Sequence, residues 1–141
     1  MKALRVLVPG SGAGPVLRLT ADLSFWGAVD PASGRIIDQR HPQHGESLAG
    51  RVVVLGRSVG SSSGSAVLLE LLRLGCGPAA IILGEADQIL TLGAVVAVEM
   101  GYASLPVLLV EASELAGLAG WARIDEAGEI ELSPGPEPPS D

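Results

Sequence analysis

The sequence predicts an α/β fold with a mixed sheet that is barrel-like or sandwiched. From residue 51 onward, short apolar runs of strand length alternate with segments of helix length, the pattern of parallel βαβ units. Both ends of the chain show the pattern of antiparallel strands instead. Of the 141 residues, 48% are hydrophobic and only 3% aromatic, so we expect one domain with a core of small aliphatic side chains.

The elements follow from apolar runs and from the residues that begin or end them. Strands are predicted where β-branched and aliphatic residues cluster, and helices where longer apolar stretches have a cap at one end or a glycine at the other. In chain order we predict a strand at 3–8 (ALRVLV), a Gly-rich tight turn at 9–15 (PGSGAGP), a strand at 16–20 (VLRLT), a strand at 51–56 (RVVVLG), a helix at 65–75 capped by Ser65 and ended by Gly75, a strand at 79–84 (AAIILG), a helix from Asp87 to Met100, a strand at 105–111 (LPVLLVE), a short helix near Glu114, and a hairpin at 121–132 (WARIDEAGEIEL).

Two segments lie outside this regular pattern. Residues 24–47 form a long excursion that is polar and turn-rich, yet it contains Phe25 and Trp26 and is too apolar for a disordered linker. We expect it to be functional and to expose both aromatic side chains. The end of the chain, SPGPEPPSD, is Pro-rich and acidic. We therefore predict a single domain at residues 1–132 and a flexible tail at 133–141.

Composition excludes several classes of function. The net charge is −7, the pI is about 4.7, and the basic residues are scattered, which argues against nucleic acid as a partner. No run approaches the roughly 20 apolar residues of a membrane span, and the first apolar run stops at Pro9, so we predict no membrane association and a cytoplasmic location. Cys76 is the only cysteine, so we expect this chain to bind no metal or iron–sulfur cluster, and any metal chemistry to come from another chain.

Two motifs suggest chemistry and have simpler interpretations. The glycines of VPGSGAG resemble a dinucleotide fingerprint, but Pro15 leads into a strand instead of a helix, which favours a tight turn. His41 and His44, with Asp38 and Glu46 nearby, are metal-ligand types. The intervening proline prevents a helical pair and the chain has no other histidine, so a solvated loop is the favoured interpretation.

The serine-rich stretch GRSVGSSSGSAVLLELL (56–72) stands between a strand and a helix. Its GSSSG fits a nucleophile elbow centred on Ser62, but both histidines precede the serine, against the order that such hydrolases show. No lysine follows the second glycine, so a nucleotide phosphate loop is disfavoured. Two interpretations stay open. The stretch is either an anion site, built from N–H groups and hydroxyls at a helix N-terminus beside Arg57, or a capped helix with a serine linker.

Three segments of the chain carry a family resemblance. They are LSFWGAVDPASGRIIDQRHPQHGESLAGRVVVLG, GSSSGSAVLLELL and GPAAIILGEADQILTLGAVVA. These segments resemble the small subunit of the aconitase X family, which corresponds to the swivel domain of aconitase, and the resemblance covers about Val6 to Val110. It implies a swivelling β/β/α domain that closes over a large subunit carrying an iron–sulfur cluster, with a small carboxylate substrate between the two.

The resemblance also implies site residues and an activity. Ser61 corresponds to the proton acceptor of a hydro-lyase reaction, which requires a base for the C–H proton. The segment GSSSGS resembles the bacterial members, which act on 3-hydroxyproline-type imino acids, so we expect cis-3-hydroxy-L-proline as substrate. The residues implied to bind substrate are Gly60, Ser62, Ser63, Gly64 and Ser65 of the serine segment, Arg57 beside it, and Ser24, Phe25, Trp26 and Gly27 of the long excursion.

Two alternatives come from a different substrate and from a different class of function. Archaeal members act on phosphomevalonate and have a segment similar to GSTVGS at the position of the serine segment. A ligand-binding or regulatory module that kept the swivel fold without chemistry is the other alternative. Val59, where the family has a basic residue, and Ala28, where it has a second glycine, are departures from the family pattern. Arg57 is the residue that could replace the missing charge.

Overall fold

A computed structural model describes residues 1–57, 63–102 and 104–135 of the chain. Its centre is a seven-stranded sheet with the order β1-β5-β4-β3-β2-β6-β7. The predicted α/β class with a mixed sheet is therefore confirmed. The elements are β1 (Arg5–Val8), β2 (Gly12–Arg18), the short helical segment α1 (Phe25–Ala28), β3 (Val52–Leu55), α2 (Ser63–Leu74), β4 (Ala80–Leu83), α3 (Gln88–Glu99), β5 (Val107–Leu109), a 3₁₀ helix (Ala112–Gly117), β6 (Trp121–Ile124) and β7 (Ile130–Ser133).

The four central strands are parallel because helices connect them. β2 pairs with β3, β3 with β4 and β4 with β5 in parallel register, while α2 and α3 link β3 to β4 and β4 to β5. The sequences of β3 (VVVL) and β4 (AIIL) are continuously apolar because every one of their residues is buried. Strands that are covered on both faces have this composition.

Two hydrophobic cores lie on opposite faces of these strands. On one face, Val53, Leu55 and Ile81 pack with α2, α3 and the residues of the long excursion. On the other face, Val52, Val54 and Ile82 pack with side chains of the β6–β7 hairpin. The sheet thus folds back over its own second face, which gives the β/β/α layering expected from the family resemblance.

The first half of strand β2 pairs with one strand and the second half with another, and the first half contains two glycines. Residues Gly12–Pro15 pair with β6, and Val16–Arg18 pair with β3. A Cβ on Gly14 would collide with the carbonyl oxygen of Gly50, and one on Gly12 with the carbonyl oxygen of Ala79. The prediction of a tight turn at 9–15 is therefore wrong for residues 12–15, because these glycines allow close backbone contact inside a strand.

The ends of the chain are antiparallel, as predicted. β1 pairs with β5 at one edge of the sheet, and β6 pairs with both β2 and β7. The turn between β6 and β7 is held by Asp125, whose Oδ1 accepts hydrogen bonds from the backbone N–H groups of Ala127 and Glu129 at 2.9 and 3.0 Å. The predicted hairpin is confirmed.

The predicted helices are present, with one wrong assignment at an end. The helix predicted from Asp87 to Met100 is α3, which Asp87 caps by accepting hydrogen bonds from the N–H groups of Ile89 and Leu90 at 2.8 and 3.1 Å. Gly75, with a φ of 77°, ends α2 as predicted, and the N–H of Cys76 donates to the carbonyl of Leu71. The predicted short helix near Glu114 is a 3₁₀ helix. The assignment of Ser65 as N-cap of α2 is wrong, because α2 already includes Ser63.

The last strand ends at Ser133, and residues 136–141 of the predicted tail lie outside the described residues. The boundary between domain and tail stays a prediction. Across residues 1–57, 63–102 and 104–135, no helix is both long and apolar enough to cross a bilayer.

We expect Gly14→Ala to lower the free energy of unfolding by about 2–3 kcal/mol, because the new methyl group meets the rigid backbone of Gly50 and not a movable side chain. Gly117→Ala is the matched control, since a Cβ there meets nothing within 4 Å. Denaturant unfolding of both variants measures the difference. Equal stability of the two variants would contradict the close approach.

A candidate active site at the carboxyl edge of the parallel strands

Parallel pairing places the carboxyl ends of β2, β3, β4 and β5 at one edge of the sheet. Hydrogen bonds keep the segments that leave these strands side by side. The N–H of Leu19 donates to the carbonyl of Val54 at 2.8 Å, that of Gly84 to Leu55 at 3.1 Å, and that of Val110 to Leu83 at 2.9 Å. Ligand sites of open α/β sheets commonly lie outside this edge.

A cavity of about 330 Å³ opens at this edge. Its lining includes Arg18, Thr20 and Asp22, from the end of β2 and the residues after it, and apolar residues of the 3₁₀ helix. The side-chain amide of Gln43 braces the end of β2, donating to the carbonyl of Arg18 at 2.7 Å, while its oxygen accepts the N–H of Thr20 at 3.1 Å. A cavity with convergent polar groups is a suitable place for a small ligand.

Arg57 stands next to this cavity and is held by Asp22. Its Nε donates to Oδ2 of Asp22 at 3.0 Å, and the two side chains are 57% and 46% exposed. The hydrogen bond and charge of Asp22, followed by the charge of Glu85, raise the pKa of Arg57 above its ordinary value. The sequence analysis identified Arg57 but missed Asp22, because the two are 35 positions apart and meet only through the pairing of β2 with β3.

The serine segment lies only partly within the described residues. Ser61, the predicted proton acceptor, falls outside them, as do Gly60, Ser62 and Val59. Ser63 is the first described residue of α2, and Gly64 is buried, with space for a Cβ 3.7 Å from the Cβ of Phe25. The described start of the helix therefore packs directly on the SFWGA segment, so two of the regions implied by the resemblance are neighbours.

Ser65 has a packing role. A Cβ on Gly93 of α3 would lie 3.1 Å from the carbonyl oxygen of Ser65 and 3.3 Å from its Cα and Cβ. The two helices cross here with small residues on both sides, which allows their backbones to approach closely. Whether Ser65 also binds substrate stays a prediction.

The SFWGA segment divides into buried and exposed residues. Phe25 is only 1% exposed and belongs to the core beneath α2, so the expectation that the segment exposes it is wrong. Trp26 is 62% exposed, as expected. Ser24 donates its hydroxyl to the carbonyl of Trp26 at 2.9 Å, and Gly27 has a φ of 83° that favours glycine at this bend. Within this segment, it is Trp26 and not Phe25 that offers an aromatic side chain to a ligand or partner.

The two histidines have different environments. His41 is buried, with its Nδ1 accepting the N–H of Gln43 at 3.0 Å and its Nε2 3.4 Å from the carbonyl oxygen of Ala21, so the solvated-loop interpretation is wrong for His41. The ring fills the base of the loop that leads to Asp22. His44 is exposed.

The donor set of this chain does not fit an iron–sulfur cluster. Such clusters need several cysteine thiolates, and the sequence has one cysteine. Cys76 is half-buried, and its Sγ lies 3.4 Å from the carbonyl oxygen of Ala32. Cys76 follows the C-terminal end of α2, whereas the serine segment leads into the N-terminal end of this helix. Within the described part of the chain, no three His, Cys, Asp or Glu residues are grouped to hold a metal ion.

Comparison with known proteins identifies the relatives of this chain. The family described as the aconitase X swivel domain matches residues 2–132. The crystal structure of Thermococcus kodakaraensis aconitase X in its holo-form superposes with a TM-score of 0.80 at 35% identity, covering 92% of this chain and 95% of that one. The mixed sheet with flanking helices is thus the fold of that domain.

Two curated relatives differ in their length relative to this chain. The cis-3-hydroxy-L-proline dehydratase of Pseudomonas aeruginosa is 46% identical over 96% of this chain, but the chain spans only 23% of its length. The phosphomevalonate dehydratase small subunit of Methanothermobacter thermautotrophicus is 38% identical over 91% of this chain and 89% of its own length. The same unit therefore occurs within a longer chain and as a small protein.

We expect Phe25→Ala to lower the free energy of unfolding by about 3–5 kcal/mol, because it removes a buried ring beneath α2. Trp26→Ala should change it by less than about 0.5 kcal/mol, since that side chain is mostly in solvent. Thermal or denaturant unfolding measures both variants. A larger loss in Trp26→Ala than in Phe25→Ala would contradict this division of roles.

Proposed function

Because the chain belongs to the aconitase X swivel-domain family, we propose that it is the small subunit of a heteromeric hydro-lyase that dehydrates cis-3-hydroxy-L-proline. One observation carries the proposal. In sequence, the serine segment leads from the carboxyl end of β3 to α2, and Gly56, at its beginning, lines the cavity at the edge of the parallel strands. A substrate placed at that edge would be within reach of the groups that this chemistry needs.

The dehydration requires a base for the C–H proton, and in our proposal Ser61 accepts it. A serine oxygen is a weak base unless its anion is stabilised. The N-terminus of α2 favours a negative charge, because the aligned peptide dipoles of a helix leave a partial positive charge at that end. Arg57, which precedes the segment in sequence, adds a cation. Together these groups would stabilise the serine alkoxide and a substrate carboxylate.

A large subunit completes the site in this proposal. The name of the Methanothermobacter relative, a small subunit, and the longer chain of the Pseudomonas relative both support a partner of larger size. Trp26 is an exposed aromatic side chain beside the packed start of α2, and such residues are enriched at interfaces. Since this chain lacks the thiolates for a cluster, we assign any iron–sulfur cluster to the large subunit.

The choice of substrate is supported by similarity and has one alternative. Identity to the hydroxyproline dehydratase of Pseudomonas aeruginosa is 46% over 137 residues, against 38% over 128 residues for the Methanothermobacter small subunit. The phosphomevalonate dehydratase small subunit of Methanopyrus kandleri is also 46% identical, but over only 80 residues. The alternative, phosphomevalonate, is favoured by a different observation. This chain spans 89% of the phosphomevalonate dehydratase small subunit, which is a separate chain of similar size. A non-catalytic module stays the competing class, with Val59 as its supporting residue.

We expect Ser61→Ala to lower kcat of the complex with its large subunit by about 10²-fold to 10⁴-fold, the usual contribution of a proton-transferring group. Assembly should be unaffected. Ser62→Ala and Ser63→Ala are matched controls and should lose less, because water or backbone N–H groups can partly replace a hydroxyl that only orients an anion. Turnover of cis-3-hydroxy-L-proline and of phosphomevalonate measures all three.

Near-normal kcat in Ser61→Ala would remove this residue from the mechanism. Failure of the unmodified complex to turn over either substrate would contradict the proposed hydro-lyase and favour the non-catalytic module.

A further inference from the structure

The carboxyl edge of the sheet brings charges of both signs to one place. Arg18 and Asp22 line the same cavity, and Asp22 also holds Arg57 at 3.0 Å. Glu85 follows β4 at the same edge and is close enough to act on the charge of Arg57. The described residues at this edge thus include the guanidinium groups of Arg18 and Arg57 and the carboxylates of Asp22 and Glu85. Glu111, which follows β5, and Glu114 of the 3₁₀ helix add further carboxylates.

Part of this charge is available to a ligand. Only Oδ2 of Asp22 is used by Arg57, and Oδ1 accepts no hydrogen bond from the described residues. The guanidinium of Arg18 likewise makes no ion pair or side-chain hydrogen bond within that part of the chain. An acceptor and a cation therefore line one cavity of about 330 Å³, each with bonding capacity left.

Such an arrangement discriminates between ligands by charge. A ligand with one carboxylate and one protonated amine can meet a cation and an anion at once. A ligand with a phosphate and a carboxylate would meet the carboxylates of Asp22 and Glu85 with like charge, and like-charge contacts are a common means of rejecting a wrong ligand. The opposite charges at this edge therefore favour a zwitterion over a polyanion.

We propose that Asp22, assisted by Glu85, is a specificity-determining residue that accepts the N–H groups of a cationic ring amine while Arg57 and Arg18 bind the carboxylate of the same molecule. This inference rests on the proposed function and makes its substrate class a zwitterionic imino acid. Asp22 has a second effect, because it fixes Arg57 at the edge. The test must separate these two effects.

Two competitive inhibitors separate them. L-proline carries a ring ammonium and a carboxylate, whereas (S)-tetrahydrofuran-2-carboxylate keeps the ring and the carboxylate but has oxygen in place of the amine. We expect the unmodified complex to bind L-proline at least about tenfold more tightly, and Asp22→Asn to abolish most of that preference, because a hydrogen bond between two charged groups is lost. Inhibition constants against turnover of cis-3-hydroxy-L-proline give the ratio.

Matched variants make the result specific. Asp22→Glu should restore part of the preference, and Glu85→Gln should reduce it in the same direction as Asp22→Asn. Glu99→Gln removes another exposed carboxylate, at the far end of α3, and should leave the ratio unchanged. If Asp22→Asn fails to fold, Glu85→Gln supplies the measurement.

Each outcome decides the inference. If Asp22→Asn weakens both inhibitors equally, Asp22 only positions Arg57, and its role in recognising the amine is overturned. An unmodified complex that binds the two inhibitors equally also overturns it, while the proposed hydro-lyase function survives. An unmodified complex that does not turn over cis-3-hydroxy-L-proline overturns the proposed function and, with it, this inference.

Discussion

The close contact of β2 with the chain entering β3 and β4 is the constraint on which the rest of the structure depends. Gly12 and Gly14 lie against the carbonyl oxygens of Ala79 and Gly50, where no side chain fits. This contact allows β2 to pair with β6 along its first half and with β3 along its second. Without it, the β6–β7 hairpin could not fold over the second face of the parallel strands, and that face would lose its apolar cover.

The candidate site is a consequence of this arrangement. Because β2, β3 and β4 run parallel, residues that are distant in sequence leave the sheet at one edge, where Asp22 meets Arg57. Gly64, at the start of α2, packs on Phe25, so the serine segment is anchored to the core at its helical end. The guanidinium of Arg57 is held by Asp22, which lines a small cavity, although the residues of this arrangement belong to different parts of the chain.

Sequence patterns predicted the elements whose signals are local. The continuous apolar runs of β3 and β4 and the Gly75 end of α2 identified their elements correctly. They failed where long-range contacts determine the residue. The glycines of β2 resembled a turn because the two backbone segments that they contact are about 40 and about 70 residues away in the sequence. Phe25 resembled an exposed contact residue because nothing local indicates that α2 covers it, and Asp22 had no local signal. The family resemblance supplied Ser61, which no spacing argument could have selected among its neighbours.

The central claim is that this chain is half of an active site. Titrating a fixed amount of the purified large subunit with this chain, and following dehydration of cis-3-hydroxy-L-proline, tests it most directly. We expect no turnover from either protein alone and a rate that rises with added chain until the two are stoichiometric. Full activity of the large subunit alone, or a stable complex whose rate does not depend on this chain, would contradict the claim.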